Sequence, residues 1–268
     1  MINGHRKDLN RIYCNPTVSF FHVGEGQLIQ FVSVVVPTFN EGKYLEPTLR
    51  ALRNQTYDGK YEIIVSDSNS KDGTLEIAEK YADKVVRVDK RGIAVGRNIG
   101  AKKARGEILV FVDADTLTIH NTLAEIVRAF EEKGVVGVAV PVLPLSPKTG
   151  DILLFLGFND FVRVNVELGK GRARVIGACC AYRKRSFDEV GGFDEELQTL
   201  EDFDLSEKMS KLGKMKYTQK TMALVSTRRI VKWGKRKSIE KYLALYFRHL
   251  LTERGLRHIP EIDYQPVR

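Results

Sequence analysis

Asp113-Ala114-Asp115 sets two carboxylates two residues apart at the end of the apolar run Ile108-Leu109-Val110-Phe111-Val112. Five successive apolar residues, β-branched and aromatic among them, suit a strand covered on both faces. Side chains two apart leave a strand on the same side, so the pair would face one ligand. Two carboxylates held close repel unless a cation or a proton lies between them. Hard divalent cations prefer such oxygens, and Mg2+ commonly takes one or two carboxylates together with substrate phosphates. Taken alone, the triplet also reads as an Asp-rich turn with an Asx cap, and the choice rests on its surroundings.

Two more polar clusters follow apolar runs. Pro37-Thr38-Phe39-Asn40-Glu41 comes after Phe31 to Val36, and Asp67-Ser68-Asn69-Ser70 comes after Glu62 to Ser66. In open α/β sheets, ligands sit outside the carboxyl ends of the strands, so the three clusters should converge on one edge. Helix N-termini pointing there favour an anion. A nucleotide diphosphate with a divalent cation would satisfy both the donors and the carboxylates. Gly92, Gly96 and Gly100 are spaced by four and precede the central strand. They are not the dinucleotide fingerprint, and no Walker A sequence occurs, which argues against NAD enzymes and P-loop NTPases.

The elements that must hold these clusters can be read from periodicity. Strands are expected over Phe31–Pro37, Glu62–Ser66, Val85–Val88, Gly106–Val112 and Val135–Val140. Between them lie helical faces: Leu45, Leu49 and Leu52; Leu75, Ile77, Ala78 and Tyr81; Val95, Ile99 and Ala104; Leu123, Ile126, Val127 and Phe130. Asn40, Ser70 or Asp72, and Asn121 are candidate N-caps. A βα unit every 20–25 residues from Phe31 to Val140 argues a parallel, Rossmann-like sheet.

After Pro141, Pro144 and Pro147 the pattern changes. Residues Asp151 to Leu168 read as an apolar helix that packs on the sheet or lies at a membrane surface. Gly177 to Tyr182 reads as a strand of small residues, and Gly191-Gly192-Phe193-Asp194 as a turn. Glu201-Asp202 opens a helix closed at Gly213, and an amphipathic helix is expected near Ser238–Glu253. Its face would hold Ile239, Tyr242, Leu243, Tyr246, Leu250 and Leu251. Residues 1–30 read as an extension with no assigned function.

The 268 residues carry a formal charge of +9, unevenly spread. Thirteen bases between Lys214 and Arg257 face only Glu240 and Glu253, so this segment alone is +11. Such a surface could meet nucleic acid, anionic lipid or a polyphosphate substrate. No run of 18 apolar residues would span a membrane, and no signal-peptide pattern opens the chain. Cys179-Cys180 are neighbours in an apolar run, as expected of buried thiols in a reducing, cytoplasmic compartment.

Five blocks, in order, resemble the family-two glycosyltransferases, which have the GT-A fold. They are Val34-Val35-Val36-Pro37-Thr38-Phe39-Asn40-Glu41, Glu62 to Thr74 around Asp67, Gly96 to Glu107, Asp113-Ala114-Asp115, and Gly177 to Gly213 with Val190-Gly191-Gly192-Phe193-Asp194 and Glu201-Asp202. The resemblance covers about Phe31–Gly213. It implies an α/β GT-A fold, a mixed and mainly parallel sheet flanked by helices, ending in the amphipathic tail. Residues 31–140 would be the nucleotide-sugar half, 141–226 the acceptor half and 227–268 the basic tail. Pro37, Thr38 and Glu41 would line the nucleotide pocket. Asp67 would accept a hydrogen bond from the base, as from N3–H of uracil, and Arg97 would lie near the nucleotide. Asp115 would bind Mg2+ or Mn2+ bridging the diphosphate, with Asp113 beside it on ribose or metal. Asp202, paired with Glu201, would be the general base of an inverting transfer.

Two departures stand out. Many members have a second Asp where Ser68 stands. Arg229-Ile230-Val231-Lys232-Trp233 has the spacing of the processive members' Gln-x-x-Arg-Trp motif but different chemistry, so processive synthesis does not follow. The implied reaction moves a sugar from a nucleotide sugar, UDP-linked by preference, to a glycan or lipid-linked acceptor. A peripheral place at the cytoplasmic membrane face fits the tail; nucleic acid is not expected as a partner. The rivals are a sugar-1-phosphate nucleotidyltransferase, which should carry a Gly-rich loop with Arg after the first strand, and a non-catalytic membrane or nucleic-acid binder using the basic tail.

Overall fold

The computed structural model describes residues 22–23, 27–28, 31–147, 151–169, 171–197 and 199–252. Most of the expected N-terminal extension lies outside them. Within it, β1 (His22–Val23) and β2 (Gln27–Leu28) form a short antiparallel pair.

Seven strands make the main sheet: β3 (Phe31–Thr38), β4 (Lys60–Asp67), β5 (Lys84–Arg87), β6 (Ile108–Val112), β8 (Val135–Ala139), β10 (Cys179–Arg183) and β11 (Lys214–Tyr217). Their order is β11-β8-β10-β6-β3-β4-β5. The pairs β3/β4, β3/β6, β4/β5 and β11/β8 are parallel, and β10 runs antiparallel between β6 and β8. The sheet is therefore mixed and mainly parallel, as the motifs implied. A second, three-stranded sheet joins β7 (Thr116–Thr118), β12 (Ala223–Val225) and β9 (Val142–Pro144).

Both faces of the main sheet are buried, and the alternation of side chains sorts the core in two. Val32, Val34, Val36, Ile108, Val110, Val112, Cys179 and Ala181 point into one layer. Val35, Leu109, Phe111, Cys180 and Tyr182 point into the other. This period of two is why the central runs read as uninterrupted apolar sequence. Cys179 and Cys180 are free and buried on opposite faces. Burial pushes both thiols up, away from reactive thiolate.

The helices are α1 (Leu45–Arg53), α2 (Thr74–Tyr81), α3 (Ile93–Lys103), α4 (Thr122–Phe130), α5 (Asp151–Leu168), α6 (Lys184–Glu189), α7 (Glu201–Leu212), α8 (Arg228–Trp233) and α9 (Lys235–Thr252). Helix α3 presses against β3 through glycine. A Cβ on Gly100 would stand 2.4 Å from Cγ1 of the buried Val35. Overpacking of a filled core typically costs about 1–3 kcal/mol, so Gly100→Ala is expected to lower the unfolding free energy read from urea denaturation by that amount.

Four expectations change. Asn40 caps no helix: it sits at φ +53°, its N–H donates to Ser70 Oγ (2.8 Å), and its Oδ1 accepts from Lys71 N–H (2.9 Å). Asn121 holds the N-cap position of α4, but its side chain makes no capping bond. The acidic triplet leads into β7 rather than a helix. The tail holds two helices, because Gly234 at φ +82° breaks α8 from α9. Among the described side chains of α9, Ser238 and Leu245 are buried, and Ile239, Tyr242 and Leu243 of the expected apolar face are exposed. The side chains of Tyr246, Leu250 and Leu251 lie outside the described residues.

Candidate active site

A cavity of about 1660 Å³ opens over the carboxyl ends of β3 and β6. Its wall takes Pro37, Thr38 and Glu41 from the β3 end, Asp113 and Asp115 from the β6 end, Arg97 from α3, and Glu201 and Asp202 from the start of α7. Ser68 represents the β4 end. Residues more than 160 positions apart in the chain thus share one space.

Arg97 is the keystone of this wall. Its side chain is buried, yet it sits between two carboxylates: Nη2 donates to Asp113 Oδ1 (2.8 Å) and Nη1 to Glu201 Oε1 (2.7 Å). Nη2 also reaches the carbonyl of Gly177 (3.1 Å), and the guanidinium lies over the Phe193 ring. Burial works against the charge, but Asp113 and Glu201 outweigh it and raise the guanidinium's affinity for its proton. Gly177 is required here, because a Cβ would stand 2.7 Å from Arg97 Nη2. Arg97 therefore joins the β6 end to α7.

Asp202 lines the cavity with its oxygens fixed from behind. Oδ2 accepts from Gly177 N–H (2.7 Å) and Oδ1 from Phe203 N–H (2.9 Å). Burial, aided by the neighbouring Glu201, pushes the carboxyl up to about 7. A base that changes protonation near neutrality is suited to take a proton and release it. Glu201 is spent on Arg97.

Asp115 lines the same cavity. It is pushed up to about 6 by burial and by the adjacent Asp113. Its Oδ2 meets Arg228 Nε at 3.1 Å. Arg228 also makes a two-pronged bond to Glu41, both at 2.8 Å, and stacks on the Tyr44 ring. One guanidinium thus balances two carboxylates where the diphosphate end was expected. The sequence showed Arg228 only as one of many bases in the tail. Nothing in its spacing marked it, since its partners lie 113 and 187 positions away.

Asp67 departs from expectation. It is fully buried and does not line the cavity. Its Oδ1 accepts from Thr38 Oγ1 (2.8 Å) and from Ser70 Oγ, and its Oδ2 accepts from Ser70 N–H (2.9 Å). In this arrangement the carboxylate ties the two loops together, accepting bonds on both oxygens. Thr38 and Ser68, on either side, are the residues that reach the cavity. Among the described residues no three His, Cys, Asp or Glu side chains form a cluster able to hold a metal alone. No helix among them is long and apolar enough to cross a membrane.

Comparison with known proteins agrees with this geometry. The sequence model of "Glycosyl transferase family 2" matches residues 33–191. The uncharacterized glycosyltransferase YfnE of Bacillus subtilis is 36% identical over 106 residues, 38% of this chain and 27% of that protein. The poly(ribitol-phosphate) beta-N-acetylglucosaminyltransferase TarS of Staphylococcus aureus is 34% identical over 126 residues, 41% of this chain and 22% of TarS. The chain therefore aligns with about a quarter of the length of these curated relatives. Among solved structures, the mannosyltransferase PcManGT of Pyrobaculum calidifontis, in complex with GDP-Man and Mn2+, superposes with a TM-score of 0.57 at 27% identity, over 70% of this chain and 54% of that one. With the ordered motifs, the mixed sheet and a family match over more than half its length, this chain belongs to glycosyl transferase family 2 and has the GT-A fold.

Proposed function

We propose that the chain moves a sugar from a nucleotide-activated donor, UDP-linked by preference, to an acceptor hydroxyl on a glycan or lipid-linked glycan, with inversion. The observation that carries this proposal is the shared cavity: Asp113 and Asp115 at one wall, Asp202 at another. Pro37, Thr38 and Glu41 would receive the nucleotide. Asp115 would hold Mg2+ or Mn2+, with the oxygen of Asp113 that Arg97 does not engage beside it. One or two carboxylates with phosphates completing the shell suit these ions. When bound, the cation would stabilise the negative charge that grows on the leaving diphosphate. The Mn2+ complex of PcManGT supports the choice of ion.

Asp202 does the chain's own chemistry. It takes the acceptor's hydroxyl proton as the acceptor oxygen bonds to the anomeric carbon. The bond from that carbon to the phosphate oxygen breaks, and the nucleoside diphosphate departs. A single displacement inverts the centre. Glu201 acts through Arg97, holding Asp113 and the α7 start in register.

Release of nucleoside diphosphate from UDP-, GDP- and dTDP-sugars, with Mn2+ and a panel of hydroxyl acceptors, tests the proposal. Release with a UDP-sugar is expected, and no release from any donor would overturn it. Arg228 gives a second test. Its guanidinium sits on Asp115 and Glu41, so a cation must compete with it. Two unit charges about 4 Å apart near a protein surface interact by ~4 kcal/mol. Arg228→Gln is therefore expected to tighten donor-free Mn2+ binding by about tenfold, roughly a third of that energy, in an electron-spin-resonance titration.

A further inference from the structure

We infer that the acceptor is an amphiphile, and that its apolar chain lies in the trough between α5 and α9 while its hydroxyl head reaches Asp202. The inference rests on the glycosyltransferase proposal and names the acceptor class for the same cavity. About 1660 Å³ is more than the roughly 300–1,000 Å³ of an ordinary small-molecule site. The excess is not polar. Beyond the carboxylates, the wall passes to Leu153, Phe158 and Phe161 of α5 and to Tyr242, Leu243 and Phe247 of α9.

All six side chains are exposed; Leu153 is 75% and Phe247 58% exposed. Apolar patches of this kind mark interaction sites. Here the patch is continuous with Asp202, so its occupant must also end at the reacting centre. A free nucleotide sugar or a polar glycan has nothing to place there. An alkyl or prenyl chain does, because each buried methylene adds to binding. The trough is also built. Lys235 at the start of α9 pairs with Asp151 at the start of α5 at 2.6 Å, holding the two helices together. Arg229 of α8 lines the same cavity, and Arg236 and Lys241 lie on α9, a basic composition that suits an acceptor drawn from an anionic lipid surface.

Trp233 is the chain's one tryptophan, and its ring lies 6.4 Å from that of Tyr242. It supplies a local reporter. The probes are octyl, decyl and dodecyl maltosides, each below its micelle-forming concentration, and a brominated dodecyl maltoside. The brominated chain is expected to quench Trp233. Affinity is expected to rise about two- to fourfold per added methylene. Leu153→Asp and Leu243→Asp change exposed positions, so folding is preserved; each is expected to abolish quenching. Nucleotide binding is read in parallel by the melting shift with UDP and Mn2+. Nucleotide binding without quenching or chain-length dependence would overturn the acceptor inference and leave the donor proposal standing. No melting shift with UDP, GDP or dTDP would overturn both. A dimer dispersed by Leu153→Asp, with no response to the alkyl chain, would show that a second copy fills the trough and would also overturn the inference.

Discussion

Asp202→Asn is expected to bind the donor nucleotide as the wild type does and to transfer sugar about 10²–10⁴-fold more slowly, the usual worth of general-base help. The amide keeps the shape and can still accept the Gly177 N–H bond, but it cannot take a proton. The pH dependence has a definite sign. Asp202 is pushed up to about 7, so below that pH it is protonated and cannot act as a base. Transfer should rise with pH through about 7 and level off above it; a profile of kcat from pH 5 to 9 checks this. Glu201→Gln removes the neighbouring negative charge that helps hold Asp202 up. The rise should then shift to lower pH, with a smaller loss of rate than in Asp202→Asn. An unshifted profile would remove Glu201 from the electrostatics of the base.

Arg97→Met is expected to be the most damaging change to the fold. It leaves Asp113 and Glu201 without the guanidinium that bonds them. Removing one partner of a buried pair typically costs about 3–5 kcal/mol. Asp113 keeps partial access to water, so the lower part of that range is expected, read as the shift in urea unfolding free energy. Arg97→Lys keeps the charge but cannot span two carboxylates with a planar fork. It should recover much of the stability and little of the transfer rate. A lysine variant with full activity would reduce Arg97 to a simple counter-ion.

The sequence marked the strand ends well and their partners poorly. Val34-Val35-Val36 and Leu109-Val110-Phe111 read as two-sided strands because both faces of this sheet are covered. Asp113 and Asp115 could be placed at the sheet edge because a strand end fixes where a side chain emerges; Asp202 was marked by the family resemblance rather than by its helix start. Asp67 shows the limit: its position at the end of β4 was legible, but a turn that folds Ser70 back onto its oxygens was not. Arg228 shows it again. Long-range ion pairs have no period, and a base in a run of bases looks solvated until the chain brings Glu41 and Asp115 beside it. The spacing of α9 marked an apolar face on an amphipathic helix, and the exposure of Ile239, Tyr242 and Leu243 agrees with it. Amphipathic spacing says that a face is apolar, not what covers it.

The central claim is that carboxylates from separate parts of the chain form one donor site completed by a cation. Thermal unfolding with UDP-, GDP- and dTDP-sugars, with and without Mn2+, in the wild type and in Asp115→Asn, tests it most directly. A ligand at a hundred times its Kd stabilises a fold by about 2.7 kcal/mol. The wild type should be stabilised by a nucleotide sugar with Mn2+ present and much less without it, and Asp115→Asn should lose the Mn2+-dependent part. Equal stabilisation of both proteins, or none from any nucleotide, would contradict it.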